Sequence, residues 1–195
     1  MKALVVYCHP VEGSFCSAMR DAAVAGLMSA GHDVSVIDLA ADDFDPVMST
    51  TEWVIYNEAK GDVPPELQTY VDKLKSAQIL VFVYPTYWSG MPAQLKGWLE
   101  RVFMHGVAFR LNDKNKVRPS LQNISRLAVI STYGSPYWYV KCVNDNGRRV
   151  VTRALRIVTK FPTRTHRLGL YSMDRASEND RRKFIARIKK KMSKI

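Results

Sequence analysis

The apolar run Ile79-Leu80-Val81-Phe82-Val83 passes directly into Tyr84-Pro85-Thr86-Tyr87-Trp88-Ser89-Gly90-Met91-Pro92, and the residue types of this loop suit chemistry on a flat ligand. Tyr87 and Trp88 offer flat apolar faces for stacking, and Gly90 lets backbone approach closely. A second candidate is Cys8-His9-Pro10-Val11-Glu12-Gly13-Ser14-Phe15-Cys16-Ser17, where serines precede an apolar helical pattern. Free backbone N–H groups and the helix dipole make such a start an anion site. A serine-rich helix start is equally what a plain N-cap looks like. The third is Ser131-Thr132-Tyr133-Gly134-Ser135-Pro136-Tyr137-Trp138-Tyr139, which supplies hydroxyls and four aromatic rings able to wall a pocket, or exposed aromatics that meet a partner chain.

Each of these segments follows an apolar run short enough to be a strand. Ala3–Tyr7, Ile79–Val83 and Leu127–Ser131 read as buried strands, Val34–Leu39 alternates, and a shorter strand is expected near Thr165–Leu170. Between them, apolar positions recur at helical spacing from Phe15 to Leu27, from Pro64 to Ala77 and from about Arg148 to Lys160. Pro92 opens a further helix whose Leu95, Trp98, Leu99, Val102 and Phe103 share one face, which assigns Trp98 to the core. A last helix begins at Ser177 with Asp180 in a capping-box pattern. Residues Asn112 to Asn123 read as a polar connection. Alternating strands and helices imply a parallel α/β sheet covered on both faces, and ligands bind such sheets outside the strands' carboxyl ends.

Pro85-Thr86-Tyr87-Trp88-Ser89-Gly90-Met91-Pro92, continued by Leu95, Lys96, Gly97, Trp98, Glu100, Arg101, Val102 and Phe103, resembles the flavin-loop segment of the NAD(P)H:quinone oxidoreductase family. That family comprises flavodoxin-like flavoproteins and includes the potassium-efflux ancillary oxidoreductases. The resemblance implies one flavodoxin-like domain over residues 1–195, a three-layer sandwich on a five-stranded parallel sheet of order 2-1-3-4-5. In that order the three loops meet at one sheet edge. His9, Ser14, Phe15 and Cys16 match the family's phosphate loop, with Cys16 a neighbour of the cofactor and not a nucleophile. Pro85, Thr86, Tyr87, Trp88 and Ser89 match its flavin loop, whose backbone donors at 86 to 90 face the ring. Ser131, Thr132 and Gly134 match a Thr-Thr-Gly-Gly segment, with Tyr133 where a glycine is usual; that departure narrows the pocket.

The activity implied is hydride transfer from NADH or NADPH to a quinone or similar flat acceptor by a two-electron ping-pong mechanism. FMN is the expected flavin, with FAD open. Trp88 and Tyr139 carry the catalytic roles, Tyr139 matching a family tyrosine that no histidine follows here at the family's position. Members are dimers with the active site at the subunit interface, so a homodimer is expected. The alternative is a regulatory flavoprotein subunit that docks on a potassium-efflux transporter or another partner.

Composition narrows the remaining classes. The 195 residues are 47% hydrophobic, ordinary for a chain with a substantial core, and no apolar run approaches the length that spans a bilayer. Met1-Lys2-Ala3-Leu4-Val5-Val6-Tyr7-Cys8 reads as a first strand and not an export signal. Cys8, Cys16 and Cys142 form no Cys-x-x-Cys pair, which suits a reducing, cytoplasmic setting. His9, His32, His105 and His166 are scattered, so no metal site is expected.

The net charge of +11 is unevenly placed: more than half of the Lys and Arg, and fewer than a quarter of the acidic residues, lie in residues 140–195. The basic final helix is a solvated face, an attractor for an anionic dinucleotide, or a docking face for an acidic protein. No nucleic-acid-binding signature accompanies it. Arg148 and Arg149, beside the third loop, are the better candidates for a dinucleotide phosphate. The basic balance argues against a one-electron flavodoxin, since such carriers are usually acidic.

Overall fold

A computed structural model of the chain describes residues 1–58 and 62–195. Five parallel strands form its sheet: β1 (Lys2–Tyr7), β2 (Asp33–Asp38), β3 (Ile79–Pro85), β6 (Arg126–Thr132) and β7 (Arg164–Leu170), with β4 (Phe109–Leu111) and β5 (Val117–Pro119) forming a separate antiparallel hairpin. The sheet runs β2-β1-β3-β6-β7, which is 2-1-3-4-5 when only its own strands are counted, as the sequence predicts. Every residue of β3 is buried. Its side chains alternate between two cores, Ile79, Val81 and Val83 on one face and Leu80, Phe82 and Tyr84 on the other.

Helices α1 (Phe15–Ser29) and α8 (Glu178–Met192) cover the first face, where Phe184, Ile188 and Met192 of α8 pack into the same core as Met19, Ala23 and Leu27 of α1. The expected capping box closes α8: Ser177 Oγ accepts from Asp180 N at 3.2 Å, and Asp180 Oδ2 accepts from Ser177 N at 3.1 Å. On the second face lie α3 (Gln68–Ser76) and α4 (Ala93–Val102). Trp98 is buried edge-on to Phe82, with ring centroids 6.2 Å apart, and so holds α4 on the strand that precedes it. Gly97 admits the chain at Pro46; a Cβ there would stand 2.2 Å from the Pro46 carbonyl oxygen.

Several boundaries differ from the sequence reading. The polar connection at Asn112–Asn123 contains β5 and follows β4, and Asn112 Oδ1 accepts from Lys114 and Lys116 in the turn between them. A helix α2 (Thr50–Glu58) escaped periodicity analysis because its apolar stripe is weak. Its start is nevertheless written in Ser49-x-x-Glu52, a capping box in which Ser49 N donates to Glu52 Oε2 at 2.7 Å and Glu52 N donates to Ser49 Oγ at 3.2 Å. The third loop ends sooner than expected, turning at Pro136 into the short helix α5 (Tyr137–Cys142). The helix expected from about Arg148 begins at Asn146 and runs as α6 (Asn146–Arg149), a π-helical turn over Val150–Ala154 and α7 (Leu155–Val158). It stops before Lys160 because Thr159 is extended and bridges to Leu121.

Candidate active site

The parallel register carries β1, β3 and β6 to a common edge, where Tyr7 faces Val83, and Tyr84 and Pro85 face Ser131 and Thr132. Beyond that edge two clefts meet. One, of about 420 Å³, is lined by His9, Phe15, Cys16, Pro85, Thr86, Tyr87, Thr132, Gly134, Met173 and Asp174. The other, of about 300 Å³, is lined by Thr86, Trp88, Ser89, Tyr133, Gly134, Ser135, Tyr139, Val140, Val143 and Asp145. Thr86 and Gly134 line both, so the two clefts adjoin and form a two-part groove at the sheet edge.

The first loop presents the start of α1 to the groove. Ser14 is the N-cap, its Oγ accepting from Ser17 N at 3.3 Å, while Ser14 O takes Ala18 N at 3.2 Å and Ser17 Oγ at 2.6 Å. The Phe15 and Cys16 amides remain without an acceptor among the described residues. Ser14 therefore lines neither cleft; it shapes the helix start that does. Burial pushes the Cys16 thiol up to about 12, with the neighbouring Cys8 adding to the shift and Arg20 opposing it, so no thiolate forms at neutral pH.

The second loop is a two-residue turn. Tyr87 N donates to Gly90 O at 3.2 Å and Gly90 N to Tyr87 O at 2.9 Å, and the two residues between them have positive φ, 45° at Trp88 and 59° at Ser89. Left-handed backbone at a tryptophan is strained. The turn projects the Trp88 ring wholly into solvent and leaves Tyr87 half-exposed. The Thr86, Tyr87 and Gly90 amides are all used internally, the first by Thr132 O at 2.9 Å. Of the donors expected at 86 to 90, the Trp88 and Ser89 amides alone stay free among the described residues. Pro85 and Thr86 line the groove, and Thr86 Oγ1 is fixed at 2.9 Å by Ser131 Oγ. Ser131 is completely buried, behind the groove and outside it.

In the third loop, Thr132 and Gly134 line the groove, and the buried Tyr133 forms part of the second cleft's wall. The Tyr133 ring stacks on Tyr171 at 4.7 Å, and its hydroxyl donates to Asp145 Oδ1 at 3.1 Å. Asp145, buried and in left-handed conformation, also accepts from Arg148 Nε. Burial, reinforced by the Asp145 charge, drives the Tyr133 hydroxyl far above its ordinary value and keeps it a donor. Tyr139 lines the mouth of the second cleft, with Tyr137 and Trp138 exposed beside it.

Sequence reasoning missed Met173 and Asp174, which reach the first cleft on a turn after β7. The signal was available, since β7 neighbours β6 in the predicted order and its following loop must reach the same edge. It also missed Gln94, whose Nε2 holds Leu39 O at 2.9 Å and Phe44 O at 3.0 Å and so anchors the connection beyond β2. Among the described residues no cluster of His, Cys, Asp or Glu is placed to hold a metal ion, and no helix is long and apolar enough to cross a membrane.

The strand order defines a flavodoxin-like α/β protein with its clefts at the carboxyl edge of β1, β3 and β6. Residues 1–192 match the family model described as flavodoxin-like fold. The chain is 34% identical over 155 residues to NAD(P)H dehydrogenase [quinone] 1 of Cavia porcellus, covering 71% of this chain and 55% of that one. It therefore spans about half the length of that relative. It is 30% identical over 166 residues to human ribosyldihydronicotinamide dehydrogenase [quinone], covering 75% of this chain and 70% of the relative. The crystal structure of Smu.1420 from Streptococcus mutans UA159 superposes with a TM-score of 0.87 at 31% identity, over 100% of both chains. The chain belongs to the flavodoxin-like NAD(P)H:quinone oxidoreductase family.

Proposed function

We propose that the chain is a flavin-dependent oxidoreductase that passes two electrons from NAD(P)H to a quinone or another flat acceptor in a ping-pong cycle. The observation that carries this reading is the pair of adjoining clefts that share Thr86 and Gly134, with unused amides beside each and an exposed indole on the second. A flavin fits those residues. The Phe15 and Cys16 amides at the start of α1 suit a phosphate, because unpaired donors and the helix dipole both favour negative charge. Gly134 faces the groove without a side chain; a Cβ there would approach Asp174 Oδ2 to 3.0 Å. FMN, with its single phosphate, is the proposed form.

A flavin held by these residues would supply two-electron hydride chemistry between a nicotinamide and the acceptor. The protein supplies position and field. The Trp88 and Ser89 amides, unspent on a strained turn that lines the second cleft, would be available to stabilise negative charge there. Trp88 and Tyr139 line the space for a planar substrate and offer it flat apolar faces. His9, Phe15 and Cys16 hold the far end, with Ser14 setting the helix start and Ser131 setting Thr86. The exposed aromatic surface of Tyr87, Trp88, Tyr137, Trp138 and Tyr139 is the proposed contact with a second copy of the chain. The mechanism is tested by initial rates with NADPH and a soluble quinone varied together. Parallel double-reciprocal lines support alternate occupation of one space, and intersecting lines reject it.

A further inference from the structure

Behind the Tyr133–Asp145 wall lies a third cleft, of about 420 Å³, whose charge is far out of balance. Lys141, Arg148, Arg149, Arg167 and Arg187 line it, drawn from α5, α6, β7 and α8, against one carboxylate, Asp145. That carboxylate is already occupied by the Tyr133 hydroxyl and Arg148 Nε. Arg149 Nε is buried and has no acceptor among the described residues. A buried guanidinium N–H without an acceptor is costly unless a ligand supplies one. The cleft therefore calls for an anion with several acceptor oxygens, and guanidinium groups match phosphate. Tyr137 and Tyr171, edge to face at 5.1 Å, stand in the same wall and offer a ring surface beside the charge.

Tyr133, Val140 and Asp145 line this cleft and the second cleft alike, so the two lie side by side with these residues between them. We propose that the basic cleft takes the adenosine phosphates of the reductant, and that its excess charge selects NADPH over NADH through the 2′-phosphate. This assignment rests on the reading that nicotinamide enters the second cleft.

The test is calorimetric titration of the flavin-loaded protein with 2′,5′-ADP, 5′-AMP and inorganic pyrophosphate, with no turnover involved. The expected result is binding of 2′,5′-ADP at least about tenfold tighter than 5′-AMP, weakening with added salt. In Arg149→Gln and in Arg167→Gln that preference falls, and KM for NADPH rises by a larger factor than KM for NADH. Arg149→Lys restores part of the preference, which loss of fold would not allow. Equal affinity for the two nucleotides, or a preference unchanged in both glutamine variants, overturns the proposal. Pyrophosphate binding as tightly as 2′,5′-ADP also overturns it, by showing a bare anion site. A protein that selects 2′,5′-ADP through Arg149 and Arg167 yet retains no flavin keeps the cleft assignment and removes the oxidoreductase reading.

Discussion

The Tyr133 hydroxyl donates to Asp145 Oδ1 at 3.1 Å, and both residues stand between the second cleft and the basic cleft behind it. The two partners have different structural weight. Tyr133→Phe removes a neutral donor and leaves Asp145 paired with Arg148, so a loss of about 1 kcal/mol is expected in urea unfolding. Asp145→Ala strips Arg148 and Tyr133 of their acceptor at once and costs about 3 kcal/mol. Equal losses for the two variants would show that the partition is held by packing alone.

Trp88 sits on strained backbone with its ring wholly in solvent, so its contribution belongs to binding and not to the fold. Trp88→Ala should leave the melting temperature unchanged and weaken flavin retention on desalting. Ser89→Gly relieves left-handed strain at the next position and should add about 1 kcal/mol of stability with Trp88 intact. A Trp88→Ala protein that keeps its full flavin complement would remove this residue from the site.

Glu52 and Arg101 form a buried pair, with Arg101 Nε donating to Glu52 Oε1 at 2.8 Å and the guanidinium lying 5.1 Å from the Phe44 ring centroid. Burial raises the Glu52 carboxyl, but bonds from the Ser49 backbone and from Arg101 outweigh it and hold the group below its ordinary value. With the folded-state pKa depressed, the stabilisation is present above the unfolded value of about 4.3 and is lost as pH falls through the folded one. Unfolding free energy of the parent chain should therefore drop below about pH 4.5 more steeply than that of Glu52→Gln. At pH 7 the same variant should be destabilised by about 3 kcal/mol.

Thiol labelling separates the cysteines by burial. Cys8 and Cys16 are buried, and burial pushes them up to about 11 and about 12, whereas Cys142 is exposed on α5. Iodoacetamide at neutral pH should modify Cys142 and spare the other two, as read by peptide mass spectrometry. Modification of Cys16 in the folded protein would contradict its assignment as a passive neighbour of the groove.

The sheet was legible because strand burial on both faces leaves unbroken apolar runs, and Ala3–Tyr7, Ile79–Val83 and Leu127–Ser131 are such runs. Strand order then brought the three loops to one edge. Side-chain direction within those loops was not legible. Ser14 and Ser131 carry the residue types of ligand contacts, yet one is an N-cap and the other is buried against Thr86, because local backbone geometry decides which way a short hydroxyl turns. Tyr133 stood out as a departure from a glycine, but its bond to Asp145 joins residues on either side of α5, a helix the periodicity did not show. The basic cleft required tertiary structure, since Arg148 and Arg149 meet Arg167 and Arg187 only when β7 and α8 are folded around them.

The central claim is tested most directly by the visible spectrum of the protein after incubation with FMN or FAD and desalting, followed by NADPH under anaerobic conditions. The account predicts a retained flavin band that bleaches in one step to the two-electron reduced spectrum and returns when a quinone is added. A protein that emerges without flavin, or whose bound flavin is untouched by NADPH and by NADH, would contradict it.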